Sequence, residues 1–346
     1  MTFEKSVTTI MNYFVSVAVL LPLVFAGTIS VSLERDPHAE LFVAWKEKYG
    51  KEYISGVEEV SRFNVWKENM EKVMEHNLKY DLGLSKYTLE MNKFADLTSE
   101  EFGAQRLGMR KALKAGPVSG EPVVSVKSVP DSIDWRTYGY VTAVKDQGAC
   151  GSCWAFSTTG GIEGQHFNAT GTLVSLSEQQ LVDCDFTNFG CHGGSMSGAV
   201  TWLSKNGGSV SESDYPYISG TTKVRGSCQT GLSVAATVSS YVGLPSYSED
   251  ALKSAVGTVG PCSIAIDASD ISFQLYKKGI YDPEICSQYA LDHGVLAAGY
   301  GTEDGTDYWL VKNSWGTNWG EAGYIKMIRN HNNKCGVASQ AIYPVV

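Results

Sequence analysis

Two cysteines lie three residues apart in segment 147–156, which reads QGACGSCWAF. Cysteines at this spacing serve three kinds of chemistry. Cys150 and Cys153 could form a redox couple, supply half of a zinc site, or divide into a structural cysteine and a nucleophile. Residues elsewhere in the 346-residue chain decide between these possibilities.

The first two possibilities lack the neighbours that they need. A redox pair of this spacing normally follows a strand in a cytosolic βαβ unit, whereas the N-terminus of this chain indicates secretion. A zinc site requires a second close pair, but six residues separate Cys184 from Cys191, which precedes His192. We therefore favour a nucleophilic cysteine and predict no metal site.

A nucleophilic cysteine needs a base, and one of the six histidines has suitable neighbours. His293 stands just ahead of an apolar stretch, in the sequence LDHG. Segment 312–316 (KNSWG) places Asn313 beside Trp315, where an amide can orient an imidazole and an indole can exclude water. The other histidines lie in the cysteine-free N-terminal part, far along a helix from the thiol, beside a cysteine, or in a polar turn: His38, His76, His166, His192 and His331.

The N-terminus indicates entry into the secretory pathway. Residues 14–26 form a 13-residue apolar run. As a helix this run would span about 20 Å, against about 30 Å for a bilayer core. The length fits a signal peptide cleaved after Ala26, and no later segment is apolar enough to span a membrane. The secretory route permits disulfides, and Asn168 heads the single acceptor triplet for N-glycosylation.

Composition separates the chain into two parts. Residues 1–128 contain 16 Lys and Arg against 17 Asp and Glu, whereas residues 129–346 contain 12 against 20. All eight cysteines lie at or beyond Cys150. The net charge of −9, with no cationic excess in either part, argues against a nucleic-acid partner. An apolar content of 43% excludes a largely disordered chain.

The sequence pattern of residues 27–128 predicts two helices, a strand or loop, and a linker. The first helix follows Asp36-Pro37 and has apolar residues at every fourth position: Leu41, Trp45 and Tyr49. The second covers about residues 57–80, with a largely polar stripe within an arc of about 100°: Glu58, Arg62, Trp66, Asn69, Val73 and Asn77. Such polar residues do not belong on a plain core-facing stripe. NKFAD at 92–96 follows, and 112–128 contains the Gly, Pro and Ser of a cleavable linker.

Residues 129–346 predict an α+β arrangement, with a cleft between a helical half and a β half. Ser152 is expected to cap a helix that starts at Cys153. Two short helices are expected over 176–182 and 197–205. Alternation and composition predict four strands: 262–266, 295–300, 308–312 and 324–328.

These motifs resemble those of the papain family of cysteine proteases, and more closely its cathepsin L type. The sequence around Cys153 is similar to the family's nucleophile motif, with His293 140 residues and Asn313 160 residues further on. GCHGG at 190–194 is similar to the substrate-binding loop, with His where Asn is common.

The N-terminal part resembles the family's proregion. The stripe of the second helix is similar to the interlocking helical motif, with Trp66 and Val73 in place of Phe and Ile. NKFAD is similar to the companion motif, although Glu90 stands where that motif has Gly. The resemblance implies a signal peptide (1–26), a helical inhibitory propeptide (27–128) and a mature peptidase (129–346). The implied fold is papain-like and two-lobed, with an active-site cleft between a helical lobe and a β-barrel-like lobe.

The resemblance also implies the roles of four residues. Cys153, in the first turn of a helix, would be a thiolate paired with the imidazolium of His293 and stabilised by the helix dipole. Asn313 would hold the ring of His293. Gln147 would donate a hydrogen bond to the oxyanion together with the backbone N–H of Cys153.

Further positions rest on the resemblance alone. The implied disulfides are Cys150–Cys191, Cys184–Cys228 and Cys286–Cys335. The implied substrate-binding residues are Gly193, Gly194, Ser195, Met196, Ala265, Leu291, Gly294, Gln340 and Trp315. Mostly apolar walls with Gln340 on the floor predict Leu, Val or Phe rather than Arg as the second residue before the cut. Cys262 is expected to be a buried, inert thiol.

We therefore expect a secreted or lysosomal endopeptidase, made as an inactive precursor that acid activates. It would act as a monomer on proteins and peptides, inhibited by its own propeptide and without a cofactor. A non-catalytic protein would have lost Cys153, His293 or Asn313. An exopeptidase would carry an insertion or paired histidines between Cys191 and Cys228. Transpeptidation through the same acyl-enzyme stays open, as does the choice between lysosome and extracellular space.

Overall fold

The computed structural model of the chain describes residues 36–109 and 129–346. The predicted signal peptide and the predicted linker at 112–128 therefore lie outside the described residues. The described chain divides into two compact units. The first contains residues 36–72 and 95–97, and the second contains residues 73–94, 98–109 and 129–346.

The helices and strands are numbered along the chain. The helices are α1 (Ala39–Tyr49), α2 (Gly56–Asp81), α3 (Ser99–Arg106), α4 (Cys153–Thr170), α5 (Glu178–Cys184), α6 (Met196–Lys205), α7 (Ser219–Thr222), α8 (Glu249–Thr258) and α9 (Ile271–Gln274). The strands are β1 (Tyr87–Leu89), β2 (Ile133–Asp134), β3 (Ser209–Val210), β4 (Val234–Ala236), β5 (Ser240–Gly243), β6 (Cys262–Ile266), β7 (Tyr276–Tyr281), β8 (His293–Glu303), β9 (Thr306–Lys312), β10 (Tyr324–Ile328) and β11 (Ala341–Val345).

The first unit has an aromatic core between α1 and α2. Phe42 and Trp45 of α1 and Phe63 and Trp66 of α2 are buried, and the rings of Phe42 and Trp66 lie 5.5 Å apart. These α1 positions are three residues apart, as expected for one face of a helix. The prediction that Leu41 lies on the apolar face is wrong, because Leu41 is 57% exposed.

The polar stripe of α2 binds backbone rather than water. In the first unit, Asn69 donates from Nδ2 to the carbonyls of Ala95 (2.9 Å) and Leu97 (3.0 Å). Arg62 donates to the carbonyl of Asp96 (3.2 Å). Asn69 and Arg62 thus satisfy the backbone carbonyls of residues 95–97, at the end of the NKFAD loop. This is why the stripe is polar although it faces protein.

Asn77, at the other end of the stripe, belongs to the second unit. Its Nδ2 donates to the carbonyl of Leu89 (3.0 Å), and its Oδ1 accepts from the Leu89 N–H (2.9 Å). Glu90, which departs from the companion motif, pairs with Lys277 (3.0 Å). The departure therefore gains an ion pair and does not disrupt the loop.

Replacement of Asn69 by Ala should weaken the first unit. The side chain is 2% exposed, and its loss leaves two buried carbonyls without their donor. We expect the opening free energy of α2, measured by hydrogen exchange in the full precursor, to fall by about 2 kcal/mol. Asn64→Ala is the matched control, since Asn64 is exposed on the same helix. Equal protection of α2 in the two variants would contradict this account of the stripe.

The second unit contains a nine-stranded sheet. Its order is β1-β7-β10-β9-β8-β6-β11-β5, with β2 paired to β8. The sheet is an open path, and the described strands form no closed barrel. The predicted strands 262–266 and 324–328 match β6 and β10, and the other two lie within β8 and β9. The predicted α+β, papain-like class is confirmed, with an open sheet in place of the barrel-like lobe.

The helical part of the second unit packs around α4. Buried residues of α4, α5 and α6 form one apolar cluster that includes Trp154, Ile162, Leu181 and Val200. Helix α5 starts two residues later than predicted, because the Ser177 hydroxyl accepts from the N–H of Gln180 and caps the helix. The disulfides are those that the resemblance implies: Cys150–Cys191, Cys184–Cys228 and Cys286–Cys335.

Within residues 36–109 and 129–346, no helix combines the length and the apolar character that crossing a membrane requires.

Candidate active site

Cys153 is the first residue of α4 and is fully buried. Helix N-termini favour negative charge, which suits a thiolate at this position. The expected cap by the Ser152 side chain is wrong. Ser152 occupies the N-cap position, but its hydroxyl makes no capping bond and instead lies 2.7 Å from the Tyr217 hydroxyl.

His293 and Asn313 meet because they sit on neighbouring strands. His293 opens β8 and Asn313 follows β9, and these strands pair antiparallel. His293 Nε2 donates to Asn313 Oδ1 (2.8 Å), an atom that can only accept. The neutral imidazole therefore carries its proton on Nε2. Nδ1 is buried without a hydrogen-bond partner among the described residues and is free to exchange a proton with a thiol.

The aromatic surroundings exclude water from the imidazole. The ring of Trp315 lies 4.7 Å from that of His293, at an interplanar angle of 30°. Trp315 is fully buried and also packs edge-on against Phe94 and Phe102. The predicted substrate-binding position Trp315 is thus covered by aromatic residues from the N-terminal part of the chain. Trp319 is a core aromatic, with its indole N–H on the carbonyl of Gln274 (3.1 Å).

Gln147 is fully buried, with its amide held from both ends. Its Oε1 accepts from the Ser314 hydroxyl (2.7 Å) and from the Trp315 indole N–H (3.1 Å). Nε2 therefore points the other way, and it donates to the carbonyls of Cys150 and Arg106 (both 2.8 Å). An amide fixed in this manner is a preorganised donor for developing negative charge.

Residues 106–109 run through the site. Beyond the Arg106 carbonyl on Gln147, the carbonyl of Gly108 accepts from the N–H of Gly194 (2.8 Å). The N–H of Met109 donates to the carbonyl of Asp292 (2.9 Å), and Met109 forms a parallel bridge with Gly194. The predicted loop residue Gly194 therefore binds extended backbone. Gly193, before it, has a positive φ of 103°, which favours glycine.

The covered site holds both titrating groups neutral. Burial raises the pKa of the Cys153 thiol to about 11, against hydrogen bonds from the backbone N–H groups of Gly294, Gly108 and Trp154. Burial lowers the pKa of His293 to about 4, against the bond to Asn313. The hydrogen bond from Gly294 also places the residue after His293 against the sulfur. The predicted thiolate–imidazolium pair of Cys153 and His293 is therefore not formed in the covered site, and it stays a prediction for the site without residues 106–109.

An open cavity beside this segment is lined by Met109, Ser195, Met196 and Gln340, among other residues. Met109 and Leu291 both pack against the apolar cluster that contains Ala265.

Gly294 lies close to the Met109 side chain, since a Cβ there would be 3.1 Å from Met109 Sδ. Gln340 is exposed, and its carbonyl accepts from the N–H of Ala265 (3.0 Å). Gln340 therefore lies at the exposed rim of the cavity rather than deep within it, and its role in substrate selection stays a prediction.

The remaining candidates have simple positions. Cys262 is a free, buried cysteine on β6, and burial raises its pKa far above that of an ordinary thiol. Asn168 is exposed in the last turn of α4, where its Oδ1 accepts from the Tyr140 hydroxyl (2.9 Å). No group of acidic, His and Cys side chains suited to a metal occurs among the described residues.

Sequence reasoning missed three contributors to the site. Ser314 orients the Gln147 amide, and its place inside KNSWG could have suggested a role. Asp292, beside His293, accepts from Met109 through its carbonyl; burial raises the pKa of its carboxyl to about 7. Tyr217, which contacts Ser152 and Gln147, has no signal in the sequence, because it lies 65 residues from the one and 70 from the other.

The arrangement defines a class of protein. The thiol stands at a helix start, an amide orients the imidazole, and a second amide donates to the segment that covers the thiol. Together these groups form the machinery of a cysteine peptidase.

Comparisons with known proteins agree. Residues 129–345 match the profile of the papain family cysteine proteases, and residues 42–102 match that of the cathepsin propeptide inhibitor domain. The chain belongs to the papain family of cysteine proteases. It is 51% identical over 311 residues to digestive cysteine proteinase 1 of Homarus americanus, covering 88% of this chain and 94% of that protein.

Two other similar proteins align with nine-tenths or more of this chain. The chain is 48% identical over 343 residues to a cathepsin L-like peptidase of Aedes aegypti, covering 95% of this chain and 99% of that one. The structure of digestive procathepsin L 3 from Tenebrio molitor larval midgut superposes with a TM-score of 0.83 at 41% identity. That comparison covers 90% of this chain and 100% of the other. The chain is thus a cathepsin L-like cysteine proteinase with a propeptide inhibitor domain.

Proposed function

We propose that the chain is the latent precursor of an endopeptidase in which Cys153 attacks the peptide bond. The observation that carries the proposal is the path of residues 106–109, whose backbone hydrogen bonds fill the site around Cys153. Removal of this segment would admit water and substrate and would lower the pKa of the thiol. Thiolate and imidazolium would then form by transfer of the thiol proton to His293 Nδ1.

Hydrolysis would proceed through a thioester. The thiolate of Cys153 attacks the carbonyl carbon, and the oxyanion accepts hydrogen bonds from Gln147 Nε2 and the Cys153 backbone N–H. The C–N bond breaks as His293 donates its proton to the leaving amine. His293 then removes a proton from water, hydroxide attacks the thioester, and the acid product leaves. Asn313 suffices to orient the ring, because the resting pair is already charged.

The processing scheme is part of the proposal. Residues 1–26 would direct the chain into the secretory pathway, and residues 27–128 would be removed by cleavage near Val129, where the peptidase match begins. Asn168 is exposed and would be accessible to glycosylation. The destination would be the lysosome or the extracellular space. We propose a monomer that acts on proteins and peptides without a cofactor.

The cavity lined by Met109, Met196 and Gln340 would select the second substrate residue before the cut. Apolar lining residues that include Met196, Leu244 and Ile342 favour an aliphatic or aromatic side chain. Ala265 belongs to the same apolar cluster as Met196 and Ile342, and Leu291 packs against that cluster. We expect kcat/KM for internal Leu, Val or Phe at this position to exceed that for Arg by about tenfold, or about 1.4 kcal/mol. Mass analysis of products from long peptides also distinguishes internal cleavage from end trimming and transpeptidation. Equal rates for Leu and Arg would contradict the assignment of the cavity.

Gln340→Glu places a carboxylate at the rim of this cavity. Because Gln340 is exposed, solvent screens the new charge, and we expect the Arg-to-Leu ratio to rise by about two- to fivefold. The rise should be larger at pH 7 than at pH 4.5, since an exposed Glu with an ordinary pKa of about 4.3 is only partly ionised at the lower pH. Gln229→Glu, exposed and remote from the cavity, adds the same charge as a control. An unchanged ratio in Gln340→Glu would remove Gln340 from substrate selection.

A further inference from the structure

Tyr217 links the two chain segments that carry the proposed oxyanion donors. Its hydroxyl donates to the backbone carbonyl of Gln147 (2.9 Å) and lies 2.7 Å from the hydroxyl of Ser152. Gln147 supplies the side-chain donor, and Ser152 directly precedes Cys153, whose N–H is the backbone donor. The Tyr217 hydroxyl thus contacts both segments that carry the proposed oxyanion donors.

The phenol is itself held in place by its surroundings. The ring of Tyr217 lies edge-on against Phe156 of α4, with centroids 4.9 Å apart. Its backbone N–H donates to the Glu212 carboxylate (2.9 Å). Burial raises the pKa of Tyr217 well above that of an ordinary phenol, so the hydroxyl stays protonated wherever the enzyme could work.

The backbone that follows Tyr217 packs against the same segment. The N–H of Ala149 donates to the carbonyl of Gly220 (2.9 Å). A Cβ on Gly220 would lie 2.9 Å from the Gln147 carbonyl oxygen, so that backbone contact is already close. The Gln147 carbonyl therefore has little room to move while the Tyr217 bond is present.

We propose that Tyr217 is a positioning residue for the oxyanion hole, which fixes the Gln147 loop and the Ser152–Cys153 peptide relative to each other. The inference rests on the proposed function, because it assumes that Gln147 and the Cys153 N–H stabilise an oxyanion. Donors that meet a transition state must be held within a fraction of an ångström, and their loss lowers kcat more than it raises KM. Tyr217 acts through these donors and does not touch the reacting atoms.

Tyr217→Phe tests this role, because it deletes the hydroxyl and keeps the ring on Phe156. In the acid-processed enzyme we expect kcat for a peptide amide to fall about tenfold, with KM changed less than about twofold. Alkylation of Cys153 by iodoacetamide should change less than about twofold. That reaction displaces iodide at a saturated carbon and forms no oxyanion. Its rate therefore measures the reactivity of the thiol independently of the oxyanion hole.

Tyr215→Phe is the matched control. Tyr215 lies in the same segment, and its hydroxyl donates to Asp183 Oδ2 (2.7 Å) and the carbonyl of Ser227 (3.1 Å), away from the site. We expect it to lower thermal stability by a similar amount and to leave the ratio of kcat to alkylation rate unchanged. A shift of that ratio in both variants would show a general structural effect and would overturn the inference.

Gln147→Ala separates this inference from the function on which it rests. Loss of the side-chain donor should lower kcat about 100-fold. Normal turnover by Gln147→Ala would refute the oxyanion role of Gln147 itself. Suppose that Gln147→Ala is slow. An unchanged kcat in Tyr217→Phe would then overturn the role of Tyr217 alone. An alkylation rate that falls in Tyr217→Phe by the same factor as kcat would do so too. The fold-loss of kcat in the double variant should be smaller than the product of the two single fold-losses. A fold-loss equal to that product would contradict the claim that Tyr217 acts through Gln147.

Discussion

Replacement of Cys153 by Ala is expected to lower peptide hydrolysis by at least about 10⁴-fold while the protein remains folded. Cys153 is one of two free cysteines in the described chain and takes no part in the three disulfides. The change removes a single buried sulfur at the start of α4, where alanine is well tolerated. The measurement is kcat/KM on a peptide substrate with the processed variant, together with its thermal midpoint.

Cys262→Ser is the control for this variant. Cys262 is equally buried, and its thiol lies 3.6 Å from the carbonyl of Gly260, to which a serine hydroxyl could donate. We expect this variant to retain most of its activity. Substantial turnover by pure Cys153→Ala would refute the mechanism, and a large loss in Cys262→Ser would show that this thiol has been misjudged.

Gly108→Ala should expose the Cys153 thiol in the intact precursor. A Cβ on Gly108 would overlap the carbonyl oxygen of Gly151, and a backbone obstacle of this kind has no rotamer that relieves it. The bonds of Gly108 to Gly194 and Cys153 would have to break, which would expose the thiol. We expect Cys153 in intact precursor chains to be alkylated at least about tenfold faster at neutral pH. This corresponds to a shift of about 1.4 kcal/mol in the free energy difference between the covered and the uncovered site, in favour of the uncovered one.

Gly103→Ala separates this effect from the general consequences of losing a glycine. Gly103 lies in α3 just upstream, where an added Cβ would meet only the Leu107 side chain at 3.5 Å, an ordinary contact. Alanine there should keep or slightly raise helix stability and leave the labelling rate of Cys153 unchanged. If Gly108→Ala stays as slowly labelled as Gly103→Ala, residues 106–109 do not keep the precursor latent.

Local pattern was enough to predict five of the nine helices and four of the eleven strands in the described part of the chain. Strand β6 alternates within residues of high β-propensity, and the predicted helix over 57–80 differs from α2 by one residue at each end. Such elements depend on neighbours along the chain, which a sequence displays directly. The apolar face of α1 was misplaced by one residue, because spacing alone cannot distinguish Leu41 from Phe42 as the core residue.

The site required contacts that no local pattern contains. The Ser152 hydroxyl could cap its own helix or bond to Tyr217, and the fold selects the second through a contact across 65 residues. Gln340 could lie deep in the cavity or at its exposed rim, and the hydrogen bond from the Ala265 N–H to its carbonyl holds it at the rim. The passage of Met109 through the cleft depends on partners at Asp292 and Gly194, far along the chain. Long-range packing, which a single sequence does not display, decides each of these cases.

The most direct test of the central claim is to map the site of labelling by a thiol-directed epoxide before and after acid processing. The account predicts one label, on Cys153, formed rapidly in the processed protein and slowly in the intact precursor, with loss of peptidase activity in proportion to labelling. Label on Cys262, full activity in protein labelled at Cys153, or equally fast labelling of precursor and processed protein would contradict it.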